Sequence, residues 1–239
     1  MRGFLGFTVL ALVGLGALVV FGLPALVGPL VVNAVRAASP FGEQPLQVDV
    51  TASGAGLVEG RVDQIHVTGR HLVTSGVNDG VTIGSLDVTI SRASIGDHSF
   101  DAVTGGLDDV GIPMANGDPL LISHIDLTGG SNAVTGSARF SVPEAIAFLT
   151  RSLADQGVAV DGVELEDDGV SLVVFGQRVS LGVGVQDGAL LIPDALGAGP
   201  VTLIEPGPDD RWRLTGVSVS ANGMDIDVVV DADALLATA

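Results

Sequence analysis

Twenty residues, Phe4 to Leu23, run without a charge, and only Thr8 among them is conventionally polar. At ~1.5 Å per residue a helix of that length spans ~30 Å, the thickness of a bilayer's hydrocarbon core. Backbone groups in that core find no water, so a helix is the only single-segment way to satisfy them. Arg2 precedes the run with no acidic residue beside it, which leaves the amino terminus in the cytoplasm and sends the rest outward. The rival reading is a cleaved leader ending at Val35-Arg36-Ala37, a small-x-small site. The apolar part of a leader ordinarily covers ~7–15 residues, and this one is longer. The expectation is an uncleaved, single-pass anchor in the cell membrane: residues 1–38 form the anchor and a helical extension, and 39–239 an extracytoplasmic β-rich domain.

Charge narrows the partners. Twenty-eight acidic residues face ten arginines and no lysine, for a net charge of −18, and there is no cysteine. Such a chain repels nucleic acid and cannot dock on an anionic membrane through a basic patch. It has neither thiolate chemistry nor disulfides. With eight Phe, one Trp and no Tyr, its interior must be built from Val, Leu, Ile, Ala and Gly.

After Pro24, apolar residues recur at helical spacing through Val35, a stripe that a helix leaving the membrane would lay against the domain. From Leu46 the period becomes two, that of strands. Val48 and Val50 share a face, as do Ile65 and Val67. Between Ile83 and Leu86 the parity flips at Gly84-Ser85, which predicts a β-bulge. Val134, Ala138 and Phe140 alternate with Thr135, Ser137 and Arg139. Ser141-Val142-Pro143-Glu144 has capping-box form and opens a helix to about Gln156, with Gly157 just beyond its end. Ala145, Ile146, Leu149 and Leu153 make its main stripe. Phe148 lies off that stripe, among Glu144, Arg151 and Asp155; either it is a single exposed aromatic, which is common, or something other than water meets a second side of the helix.

Turn dipeptides then set hairpins. Asp168-Gly169 places Leu165 against Leu172, Gly176-Gln177 places Val174 against Val179, and Asp187-Gly188 places Val185 against Leu190. Together they predict a four-stranded meander from Val160 to Ile192, with Glu164, Glu166, Ser171, Ser180 and Gln186 on a wet face. Asn222-Gly223 places Val219 against Ile226, with Asp225, Asp227 and Asp231 facing the other way.

No catalytic pattern emerges. His66, His71, His98 and His124 are scattered, with no metal-ligand spacing. Gly182-Val183-Gly184 lies within a strand and opens no phosphate-binding helix. Asp225-x-Asp227 and Asp231-x-Asp233 lack the further oxygen ligands of a calcium loop. The reading is a non-enzyme without cofactor or metal.

A membrane-anchored helix, one-sided antiparallel strands, a mid-chain helix and a second one-sided sheet form a layout that resembles the LmeA-like phospholipid-binding proteins of actinobacterial envelopes. The likeness rests on Leu57-Val58-Glu59-Gly60-Arg61-Val62-Asp63-Gln64-Ile65-His66-Val67 and Gly84-Ser85-Leu86-Asp87-Val88-Thr89-Ile90, with the helix Pro143 to Leu153 where that family has one. The resemblance implies an α+β fold, a bent antiparallel sheet wrapping one or two helices in the style of tubular lipid-binding proteins. It implies a phospholipid or related amphiphile as ligand and a role in envelope lipid or glycolipid maintenance. The residues expected to line such a site are Phe140, Ile146, Phe148, Leu149, Leu153 and Phe175. The scarcity of basic residues departs from a preference for anionic head groups. The alternative is a non-catalytic structural or protein-docking module of the envelope, whose apolar faces pack only on each other.

Overall fold

The computed structural model describes residues 41, 44, 46–74, 80–94, 99–114, 118–193, 199–207 and 212–231. The expected anchor and its helical extension, His98 and Asp233 lie outside the described residues. Among the described residues no helix is long and apolar enough to cross a membrane.

The chain is mostly antiparallel sheet. Strands β1 (Leu46–Thr51), β2 (Arg61–Val73), β3 (Thr82–Ser94), β4 (Ala102–Ile112), β5 (Leu120–Gly130) and β6 (Ala133–Phe140) pair in sequence order. A closing hairpin, β13 (Trp212–Ser220) and β14 (Gly223–Asp231), adds through β14 to β6 and completes an eight-stranded sheet. A one-turn helix, α1 (Gly54–Val58), links β1 to β2.

Directly opposed residues of an antiparallel pair share a face, so the register sorts side chains into rows across the sheet. One row runs Leu46, Gly69, Leu86, Leu107, Ile125, Ala138, Ile226, Val217. The row two residues along holds Val48, Val67, Val88, Leu127 and Val228, and the next holds Val50, Ile65, Ile90, Val103, Val134 and Val230. Between these apolar rows lie polar ones, such as Asp49, His66, Thr89, Thr104, Thr128, Thr135. Period-two alternation in the sequence thus becomes one buried face and one wet face.

The parity flip around Gly84 is real, but no bulge makes it. The register of β3 with β2 and with β4 continues unshifted on both sides of Gly84. The residues on the same rung to either side, His71 and Asp109, carry φ of 52° and 51°. Left-handed residues rotate the side chains that follow them, which accounts for the change of face in β2 and β4; β3 and β5 change face at the same level without one. Leu72, Ile83, Val110 and Ile122 stay buried although they are out of phase with Val67, Leu86, Leu107 and Ile125. Gly84 is needed there because a Cβ would lie 2.8 Å from that of Asp109.

Between β6 and β13 the chain inserts helix α2 (Val142–Asp155) and two three-stranded sheets. One contains β7 (Gly162–Glu166), β8 (Gly169–Val174) and β9 (Gln177–Gly182). The other contains β10 (Gly184–Gln186), β11 (Ala189–Ile192) and β12 (Val201–Ile204). The expected four-stranded meander is therefore divided at Val183, and β12 joins its second half. Helix α2 packs on β5, β6, β14, β7 and β12, while β13 meets β7, β8, β10 and β11.

Three of the four hairpin registers differ from expectation by two residues. The turns are Asp167-Asp168, Phe175-Gly176 and Ala221-Asn222, so Leu165 opposes Val170, Leu172 opposes Val179, and Val219 opposes Met224. Asp187-Gly188 falls as expected, with φ of 52° and 81° and Val185 against Leu190. A shift of two preserves the faces. Ser171 is the exception to the wet face, for it is fully buried.

Candidate functional site: an apolar cleft beside the helix

Helix α2 begins as its sequence dictates. The backbone N–H of Ser141 donates to Glu144 Oε2 at 2.7 Å, and Pro143 sits in the first turn, where its missing donor is harmless. The Ser123 hydroxyl on β5 donates to the same oxygen at 2.5 Å, tying the helix start to the sheet. Partial burial pushes the Glu144 carboxyl up, but the hydrogen bonds from Ser123 and Ser141 outweigh it and hold it below the usual range.

Of the expected lining residues, Phe140, Phe148, Leu149 and Leu153 come together in the core. The Phe140 and Phe148 rings stand 5.6 Å apart, tilted by 31°. Ile146, placed on the main stripe from its spacing, is only partly buried, while Ala145, Phe148, Leu149, Ser152 and Leu153 are the helix's buried residues. The second side of the helix is thus met by protein, with the Phe140 ring against that of Phe148. Phe175 does not join the others: it is 96% exposed at the tip of the β8–β9 hairpin.

Beside Phe148 lies a cleft of about 140 Å³, lined by Pro119, Leu120, Leu121, Pro143, Glu144, Ala147, Phe148 and Arg151. Its walls are apolar except at the rim. Leu121 is 49% exposed there. Arg151 is half-buried and, like the exposed Arg70 and Arg213, forms no ion pair among the described residues, whereas Arg61, Arg92, Arg139 and Arg178 do. Pro119, Leu121 and Arg151 were not expected to take part. The i, i+3 spacing of Phe148 and Arg151 was the available signal; the contribution of β5 had none.

A larger open trough of about 680 Å³ lies over β1–β3, lined by Leu46, Gln47, Thr68, Gly69, Arg70, Ser85, Leu86 and Asp87. Three of its polar side chains are engaged with neighbours, while Arg70 forms no ion pair among the described residues. Gln47 donates to Asp49, Ser85 donates to Asp108 at 2.6 Å, and Asp87 pairs with His66 at 2.9 Å. It is a gap between rows of the wet face.

That face also holds the most organised polar cluster. His124 lies over Gly106 and contacts Asp108 through Nδ1 at 2.5 Å and Asp126 through Nε2 at 3.0 Å. The hydrogen bond to Asp108 raises the pKa of His124 above the usual histidine value against an opposing effect of burial, and Asp126 adds to the rise. The Ser85 hydroxyl first, and the His124 ring second, hold the Asp108 carboxyl below its usual range. Ser85 is hydrogen-bonded to the carboxylate and not to the imidazole, so the hydroxyl–imidazole contact of a Ser–His pair is not formed. Among the described residues no group of side chains is arranged to hold a metal.

No family model, curated protein or solved structure matches the chain.

Proposed function

We propose that this is a membrane-anchored, extracytoplasmic protein that binds a phospholipid or related amphiphile at the cleft beside α2, as the resemblance to LmeA-like proteins implies. The observation that carries the reading is the pairing of an apolar lining with a cation that has no ion-pair partner among the described residues: Leu120, Leu121, Ala147 and Phe148 share the cleft with Arg151, and its one carboxylate, Glu144, is held by Ser123 and Ser141. The volume sets the mode. At ~30 Å³ per water-sized group the cleft takes about five methylenes, worth ~4 kcal/mol at ~0.8 kcal/mol each. A charge-assisted hydrogen bond from Arg151 to an anionic head group adds ~2 kcal/mol. Before the ordering costs of association are subtracted, the sum caps the affinity at a Kd of tens of micromolar. That is weak for a carrier in solution and sufficient for a protein tethered where lipid is concentrated.

The second reading is a docking module of the envelope. It is favoured by the same volume, which is below the ~300–1,000 Å³ of ordinary ligand pockets. Ala147→Trp separates the two. Ala147 is an exposed helix residue lining the cleft, so the indole fills the space without entering the core. Amphiphile co-purification falls and the melting temperature holds if the cleft is the site. Equal lipid content in wild type and variant removes the cleft from the account, and lipid-free wild type favours the docking module.

A further inference from the structure

The β8–β9 hairpin is closed by Phe175-Gly176, with φ of 50° and 73°. Both residues of a two-residue turn with positive φ are ordinarily Asn, Asp or Gly, because a side chain branching into an aromatic ring gains nothing there and the left-handed backbone costs ~1 kcal/mol. The equivalent turn at Asp187-Gly188 follows that rule. Phe175 breaks it while standing 96% exposed. A lone surface hydrophobe is ordinary; one held in a strained turn at the far end of a hairpin has neither packing nor turn geometry to account for it.

The surroundings suit a neutral apolar phase. In a chain with 28 acidic residues, Gly169–Gly182 contains none, and its single charge, Arg178, is bonded to Glu164 at 2.7 Å. Val173 and Val174 behind the tip are partly exposed. The Asp161 carboxylate, at the base of β7, is engaged as acceptor of the Gly176 N–H at 3.2 Å.

We infer that the β8–β9 tip is a bilayer contact, with Phe175 entering the interface of the membrane to which Phe4–Leu23 tethers the chain. This rests on the proposed anchor. The tether matters, because one ring gains too little to hold a protein at a membrane alone, whereas a second contact on an already anchored chain is intramolecular. Nothing near the tip calls for anionic lipid.

The test uses the full chain in phosphatidylcholine vesicles, with and without lipids carrying a quencher near the head-group end of the acyl chain. The sole native tryptophan, Trp212, is buried and gives the background. In Phe175→Trp the added emission should be shifted to the blue and quenched by the labelled lipid. A chain that floats with the vesicles while the introduced indole emits as in water overturns the tip contact alone; a chain that stays in the aqueous fraction overturns it together with the anchor. Phe175→Asn should keep or raise the melting temperature, since Asn tolerates the turn. A lowered one would mean that the ring serves the fold, and would also overturn the inference.

Discussion

Two phenylalanines expected from sequence to share a site should respond in opposite ways to the same truncation. Phe148 is 1% exposed and stacked near Phe140, so Phe148→Ala removes a fully packed ring from between helix and sheet. Buried Phe→Ala changes cost ~3–5 kcal/mol, of which ~0.5–1.5 belongs to the aromatic pair. For a domain of this size ~1 kcal/mol corresponds to ~2–4 °C, so the melting temperature should fall by ~6–20 °C. Phe175→Ala removes a ring that touches almost nothing, at a position strained for both residues, and should stay within ~0.5 kcal/mol of wild type. Trp212, 4% exposed, reports unfolding through its emission. Equal shifts for the two variants would refute the placement of α2 on the sheet.

Gly223→Val should destabilise the chain by at least ~1–3 kcal/mol in urea unfolding, because φ is 147° and a Cβ would run into the Phe140 carbonyl oxygen across β14 and β6. An unchanged midpoint would mean that β14 is not paired there. Both ring nitrogens of His124 lie within hydrogen-bond distance of a carboxylate, Nδ1 of Asp108 and Nε2 of Asp126, an arrangement that favours the imidazolium form. Its folded pKa is raised, so its contribution is complete below the unfolded value of 6.5 and is lost as pH rises through the folded one. The melting temperature should fall from mildly acid to mildly alkaline pH in wild type and lose that component in His124→Gln. Ser171 Oγ is buried with no hydrogen-bond partner, so Ser171→Ala should be neutral or stabilising by up to ~1 kcal/mol. A clear destabilisation would reveal a bond to that hydroxyl.

Faces were easier to read than registers, for one physical reason. Side chains alternate with period two, so a hairpin whose turn is one residue out slips by two and still presents Val163, Leu172 and Val179 to one side. The slip arose from reading each glycine one position too early in its hairpin: Gly176 is the second turn residue and not the first. Gly169 and Gly223 instead begin strands, where a Cβ would meet the carbonyls of Leu181 and Phe140. In the first of these turns Asp168 itself takes φ of 69°. The helix was legible from its cap through Gly157, and a covered second side at Phe148 was one of two open readings, but what covers it was not legible. A wheel of α2 alone cannot know that the Phe140 ring stands against its second side. Phe175 looked like one more apolar residue in an apolar hairpin because its left-handed backbone leaves no mark on hydropathy. Ser171 looked wet by alternation, and only the burial of both sides of β8 overrides that.

The central claim, amphiphile binding at the cleft, is tested most directly by native mass spectrometry of the full chain released from its own membranes. Wild type should carry an added mass that fragments as an amphiphile. Ala147→Trp should lose it, and Arg151→Gln should lose an anionic species while melting as wild type does. A wild-type chain that flies only at its bare mass, or one whose bound lipid survives both substitutions, would contradict the account.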